Sequence, residues 1–230
     1  MCIRDRYNIE NIKFFSNQFN EHKADLVTAD GGFDFSNDYS NQEINAIRLI
    51  LCEIVTAFSI LKEGGNFIVK VYDIFHNITI DLIYLLACNF ENVSIVKPHT
   101  SRTANSEKYI VCKGFKNISI FDLELLYDIL EEFEILEQQN KYANRILQNH
   151  IPNDFIDLIF SINTYHISKQ IKSILTALVL CNMNLSNDDV NNIKNEQTIY
   201  SLAWCEKYDF PVNSKCRYLK KYNQYNYIPN

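Results

Sequence analysis

The sequence predicts an α/β fold, an open and mostly parallel sheet with helices over both faces, followed by an all-helical extension. Two observations carry this reading. Up to Gly114, short continuous apolar runs alternate with helix-period segments, the pattern of strands buried on both faces. Beyond Gly114 the apolar residues recur only at helical spacing.

The elements follow in order. Ile9 to Glu21 carries Ile9, Ile12, Phe14, Phe15 and Phe19 at roughly helical intervals. Ala24-Asp-Leu-Val-Thr-Ala29 reads as a buried strand feeding a loop at Asp30-Gly31-Gly32. Gln42 to Lys62 predicts a long helix with Ile44, Ile47, Leu51, Ile54, Val55, Phe58 and Leu61 along one face, stopped by Gly64-Gly65. Asn66 to Val71 is the next strand and Ile78 to Phe90 the next helix. Val93 to Val96 and Tyr109 to Cys112 are two further strands around a polar loop from His99 to Glu107, which suggests an antiparallel final pair. Ser119-x-x-Asp122 resembles a capping box ahead of an acidic helix to about Gln139. Another helix runs from His150-Ile-Pro-Asn153 to about Cys181, and Ser186-x-x-Asp189 caps a last one that ends before Pro211. In open sheets, ligands sit beyond the carboxyl ends of the strands, which points to Asp30, Lys70 and Glu107.

Composition narrows the class. A chain of 230 residues with 47% hydrophobic content can bury a sizeable core. The net charge of −6 argues against a surface coated for nucleic acid but allows a local basic cleft. The seven cysteines (Cys2, Cys52, Cys88, Cys112, Cys181, Cys205 and Cys216) include no C-x-x-C pair, so neither a zinc site nor a disulfide framework is expected. That usage fits an intracellular setting. No apolar run reaches membrane-spanning length, and the five histidines show no metal-ligand spacing. Trp204 reads as a core residue, and Lys215 to Tyr222 as a solvated tail.

Met1-Cys-Ile-Arg-Asp-Arg6 precedes a helical stretch without a start signal and reads as a translated adapter or assembly scar. On that reading residues 7–116 are the C-terminal portion of a sheet domain and residues 117–230 a helical extension.

Three segments carry the chemistry: Asp25-Leu-Val-Thr-Ala-Asp-Gly-Gly-Phe33, Gly64-Gly-Asn-Phe-Ile-Val-Lys-Val-Tyr-Asp73 and Thr100-Ser-Arg-Thr-Ala-Asn-Ser-Glu-Lys-Tyr-Ile-Val-Cys-Lys-Gly114. In order and spacing they resemble the FtsJ-like ribose 2′-O-methyltransferases, within them the branch specific for mRNA caps. The resemblance covers residues 9 to 116, with a fainter echo at Ala203 to Pro211. It implies a Rossmann-like fold that uses S-adenosyl-L-methionine, of which this chain holds the C-terminal part of the sheet. It also implies capped RNA as substrate, no metal and no membrane, with further capping domains or subunits as partners. A cellular enzyme would be nuclear, and a viral one would act in the virion or host cytoplasm.

The family's Lys-Asp-Lys-Glu tetrad maps onto Asp30, Lys70 and Glu107, with its first Lys expected upstream. The five glycines begin at Gly31, so no G-x-G loop for the cofactor lies in the chain, and it is expected to be truncated at its N-terminus. Lys70 is then the base or orienting group for the 2′-hydroxyl, its pKa expected to be lowered by partial burial beside another cation. Asp30 and Glu107 would hold the lysines, Asp30 also favouring the sulfonium. Ser40, Asn41, Gln42, Arg102 and Glu107 are the expected RNA or cap contacts. The same residues leave open ribosomal or transfer RNA as substrate, or a non-catalytic RNA-binding module.

Overall fold

The computed structural model describes residues 7–32, 39–139, 141–213, 215–217 and 219. The suspected scar at residues 1–6 lies outside them, as do Phe33 and half of the Lys215 to Tyr222 segment. The elements are α1 (Ile9–Asn17), β1 (Ala24–Ala29), a 3-10 turn (Tyr39–Asn41), α2 (Gln42–Ile60), β2 (Leu61–Val71), α3 (Asn77–Asn89), β3 (Phe90–Val96), β4 (Lys108–Phe115), α4 (Ile120–Gln138), α5 (Asn153–Asn182) and α6 (Asn187–Lys207). They fall into two compact units, Met1–Ser173 and Ile174–Asn230, with the boundary inside α5.

The four described strands form one sheet in the order β1-β2-β4-β3. β1 and β2 are parallel, whereas β4 runs antiparallel to both β2 and β3. The sheet is therefore less parallel than the alternating pattern suggested. β1, β2 and β3 share a direction, but β4 inserts between the last two and leaves one parallel pair.

Burial along the strands corrects a second expectation. Across residues 65–71 of β2 and 108–112 of β4 it alternates: Phe67, Val69, Val71, Ile110 and Cys112 are buried, while Asn66, Ile68, Lys70, Tyr109 and Val111 are more exposed. Period-two alternation is the mark of a sheet covered on one face. Helices α2 and α3 lie on the covered face, and the described residues leave the other open. β1, expected to be buried, is the edge strand among these residues, with Leu26 54% exposed.

The covered face explains why α2 is apolar almost all the way round. It packs on β1 and β2 below and on α1, α3 and α4 at its sides, so nearly its whole length is buried. Beneath it Phe58, Phe90 and Phe115 meet with ring centroids 5.2 to 6.1 Å apart, and Phe67 stacks on Phe90 at 6.5 Å. Truncating any one of these to Ala would cost about 3–5 kcal/mol. α4 adds Leu126, Tyr127, Leu130 and Phe133 to the same core, so the first helix beyond the sheet is part of its packing.

Gly64-Gly65 does not stop α2. The helix ends at Ile60 and passes directly into β2, and the glycines lie inside that strand. Between Ala24 and Leu26 the pairing skips from Leu61 to Asn66, a bulge that needs Gly64 at φ 76°. A Cβ on Gly65 would come within 2.8 Å of the Lys62 carbonyl, so that close turn of backbone admits no side chain.

Of the two expected capping boxes, the one at Ser186 forms in full, and at Ser119 the side-chain cap forms. Ser119 Oγ accepts from the Asp122 amide at 3.0 Å, and Ser186 and Asp189 make the reciprocal pair at 3.1 and 2.9 Å. In the second unit Trp204 belongs to no core. It is half-buried and packs against Tyr208 and Phe210 at 5.1 and 5.6 Å, while α6 has no buried residue among those described.

Glu43, buried on α2, fastens the loop that follows β2. Its carboxylate accepts from the amides of Phe75 and His76, both at 2.9 Å, and from the Thr79 hydroxyl at 2.6 Å. Removing it leaves two part-buried amides and the buried Thr79 hydroxyl without their acceptor, so Glu43→Ala should lower the unfolding free energy by about 3 kcal/mol in a urea titration. Glu43→Gln, which keeps one acceptor oxygen, should lose less than half as much.

Candidate active site

Asp30 follows β1, and the parallel pairing of Ala29 with Val69 brings it beside Lys70 of β2. The antiparallel register then sets Lys70 opposite Tyr109 of β4. Because side chains alternate between faces, Asp30, Lys70 and Tyr109 form a row on the open face, across three strands.

The row is connected. Lys70 Nζ lies 2.6 Å from the Asp30 carboxylate and also donates to the Asp30 carbonyl at 3.2 Å. The Tyr109 hydroxyl donates to the same carboxylate at 3.5 Å. One pleat further on stand Tyr72 and Glu107, and Lys70 Nζ is 5.8 Å from the Tyr72 ring centre. A Cβ on Gly32 would stand 3.0 Å from the Tyr72 hydroxyl and 3.2 Å from Lys70 Nζ, so a larger residue there would crowd both groups.

The electrostatics give the pair a definite state. Burial pushes the Lys70 pKa down, but the hydrogen bond to Asp30 and the influence of Tyr72, Asp30 and Tyr109 together outweigh it, and the net shift is upward. The expected lowering is thus reversed, because the neighbours of Lys70 in this structure are a carboxylate and two phenols. Lys70 is an ammonium at neutral pH. Burial raises the Tyr109 hydroxyl, helped by Glu107 and Asp30, and burial also raises Tyr72, with Lys70 opposing. Both phenols are donors throughout the physiological range.

Glu107 is held by its own loop. Ser101 Oγ donates to its carboxylate at 3.2 Å, and Lys97 Nζ donates to its carbonyl at 2.7 Å and to Asn105 at 2.7 and 2.9 Å. Lys108, buried next to it on the covered face, donates to the carbonyls of Tyr72 and Ser106 at 3.0 and 2.8 Å and lies 3.8 Å from Asp73. Burial lowers the pKa of Lys108 and of Lys97, with Asp73 opposing in both cases.

Of the expected substrate contacts, Gln42 starts α2 and accepts from Ser106 at 3.1 Å, which ties it to the Glu107 loop. Ser40 and Asn41 are exposed in the 3-10 turn leading into α2. Arg102 is exposed within residues 97–107, and its carbonyl accepts from the Asn105 amide at 3.2 Å. The structure therefore gathers Asp30, Lys70, Glu107 and Gln42, and leaves Arg102 at the surface. Tyr72, Lys97, Lys108 and Tyr109 were not singled out from the sequence. Tyr109 follows once the register with Lys70 is known; Lys97 and Lys108 carry no sequence signal.

Because Asp30 is what lifts Lys70 against its burial, Asp30→Asn should move the Lys70 pKa downward. Lysine side-chain NMR over a pH titration reads this directly, and an unmoved titration would contradict the pairing.

Comparisons with known proteins bear on the family. Residues 3–115 match the family described as FtsJ-like methyltransferase. The chain is 36% identical over 173 residues to cap-specific mRNA (nucleoside-2′-O-)-methyltransferase 1 of Bos taurus, a match covering 72% of this chain and 21% of that protein. It is 43% identical over 115 residues to methyltransferase 1A of the same description from Caenorhabditis briggsae, covering 50% and 13%. The chain thus spans about a fifth or less of the length of these curated relatives. A solved Plasmodium falciparum structure described as a ribosomal RNA methyltransferase aligns at 24% identity and TM-score 0.40, over 48% of this chain and 58% of that one. The strand-end row of Asp30, Lys70 and Tyr109 lies in the matched segment, and residues 3–115 form an FtsJ-like methyltransferase domain.

Proposed function

We propose that this domain transfers a methyl group from S-adenosyl-L-methionine to the ribose 2′-oxygen of a cap-proximal nucleotide in mRNA. The observation that carries the reading is the Lys70–Asp30 pair at the carboxyl ends of β1 and β2, with Glu107 at the edge of the same face. The identity to cap-specific relatives supports the choice of substrate.

The residues present suit one end of the cofactor. Asp30, two-thirds exposed, offers a negative charge where a sulfonium could approach. When bound, S-adenosyl-L-methionine supplies an electrophilic methyl carbon. The chain's own residues do the rest. Lys70, as an ammonium, orients the 2′-oxygen and stabilises the negative charge that builds on it. To act as a base it would first have to give up a proton that Asp30 holds in place. The hydroxyl proton leaves late, from an oxygen already acidified by C–O bond formation, so alignment carries more of the rate than basicity. Tyr109 and Glu107 hold the row against the open face. Ser40, Asn41 and Gln42 lie where the turn before α2 could meet the RNA, with Arg102 a phosphate contact further along the Glu107 loop.

No helix among the described residues is long and apolar enough to cross a membrane, and no group of three or more potential ligands is placed to hold a metal ion. The proposed role would put the protein wherever transcripts are capped, the nucleus for a cellular enzyme, with other capping domains as its partners.

The test is methyl transfer from labelled S-adenosyl-L-methionine in the protein that contains this domain. Capped RNA should be methylated and uncapped RNA of the same sequence should not. Lys70→Ala should slow transfer by at least ~10²-fold with cofactor binding little changed. Near-normal turnover by that variant would remove Lys70 from the mechanism, and equal use of uncapped RNA would remove the cap specificity.

A further inference from the structure

A cleft of about 420 Å³ lies beside the loop that holds Glu107, walled on one side by residues 95–108 and on the other by the first half of α5. It is lined by Lys97, Lys108 and Lys169, three cations in a chain of net charge −6, with His166 beside them. The carboxylates nearest to these groups, Glu107 and Asp73, act on Lys97 and Lys108. On the α5 side the influences are all positive. Burial lowers the His166 pKa, and Lys108, Lys97 and Lys169 lower it further. The Lys169 ammonium has a phenol for its neighbour, bonded to the Tyr165 hydroxyl and sitting 4.2 Å from its ring centre.

Tyr165 is 56% exposed at the rim, its ring edge-on to His166 at 5.2 Å. An exposed ring flanked by cations is the arrangement on which single-stranded nucleic acids stack a base while a phosphate meets the charge. The two walls are fixed to each other: Gln170 of α5 donates to the Ala104 carbonyl at 3.3 Å, and Asn163 donates to the Ile74 carbonyl. The cleft is separated from the methyl-transfer site only by the loop itself, since Lys97 in the cleft bonds the carbonyl of Glu107.

We propose that this cleft seats single-stranded RNA a short way along the strand from the ribose at Lys70, with a base on Tyr165 and a phosphate between Lys169 and His166. The proposal rests on the methyltransferase reading for its substrate class. It assigns to α5, beyond the matched segment, a share in holding the RNA.

The experiment is the fluorescence anisotropy of a labelled, uncapped RNA decamer with the full chain, without cofactor, over a series of KCl concentrations. Lys169→Gln should reduce the slope of log K against log salt by about 0.7, the loss of one phosphate contact on a single strand. Lys62→Gln, at the opposite end of β2, should leave the slope as in the parent. Tyr165→Ala should weaken binding about tenfold, whereas Tyr165→Phe should keep it, because stacking needs the ring and not the hydroxyl. The cleft is refuted if Lys169→Gln and Lys62→Gln give equal slopes, if Tyr165→Ala binds as tightly as Tyr165→Phe, or if the parent binds no RNA. Methyl transfer measured separately keeps the two readings apart: absent transfer with these binding effects intact refutes the chemistry alone.

Discussion

The site depends on one register. β4 pairs with β2 so that Tyr109 faces Lys70 and Lys108 faces Val71. Because successive side chains point to opposite faces, this choice decides which lysine reaches the open face and which is buried. A slip of one residue would exchange the polar row for Val69 and Ile110 and drive a charge into the aromatic core around Phe67 and Phe115. The core therefore enforces the site: the four phenylalanines hold the register, and the register holds the chemistry.

Much of this was legible in the sequence. The strands and helices of the sheet domain, the N-caps at Ser119 and Ser186 and the grouping of Asp30, Lys70 and Glu107 were all readable from apolar runs and motif wording. What escaped were properties that pairing creates. A strand reads the same whether its neighbours are parallel or antiparallel, so the insertion of β4 between β2 and β3 was not visible. Gly64-Gly65 reads equally as a helix stop or a bulge, and only the pairing of Leu26 with Asn66 distinguishes them. The upward shift of Lys70 likewise depends on which groups stand beside it, and Tyr72 and Tyr109 reach it from other segments of the chain.

Buried polar groups join the helices to the sheet domain at several points. Asp81, fully buried on α3, receives the Arg145 guanidinium and the amides of Ile146 and Leu147 at 2.7 to 3.1 Å. Arg48 on α2 reaches Glu134 and Glu137 of α4 and lies against the Tyr7 ring. Asp81 is partnered on both carboxylate oxygens, whereas the buried Arg48 Nε finds no acceptor among the described residues, so the geometry at both points is demanding. They specify how the connecting segments sit where apolar packing alone would permit several arrangements.

The bulge in β2 has a consequence for how this architecture can vary. α2 runs into β2 without a linker, so a helix with a period of 3.6 residues is coupled rigidly to a strand with a period of two. Without slack, any change in the length of α2 would rotate the phase of every strand residue after it. The segment from Lys62 to Gly65 supplies that slack: around Gly64 the backbone is free of close neighbours, and the ladder resumes only at Asn66. An added or lost residue there would be absorbed before the pleat begins, leaving the side on which Lys70 emerges unchanged. The two glycines act as a clutch between two periodicities, letting the helical layer drift while the face that carries the chemistry stays in phase.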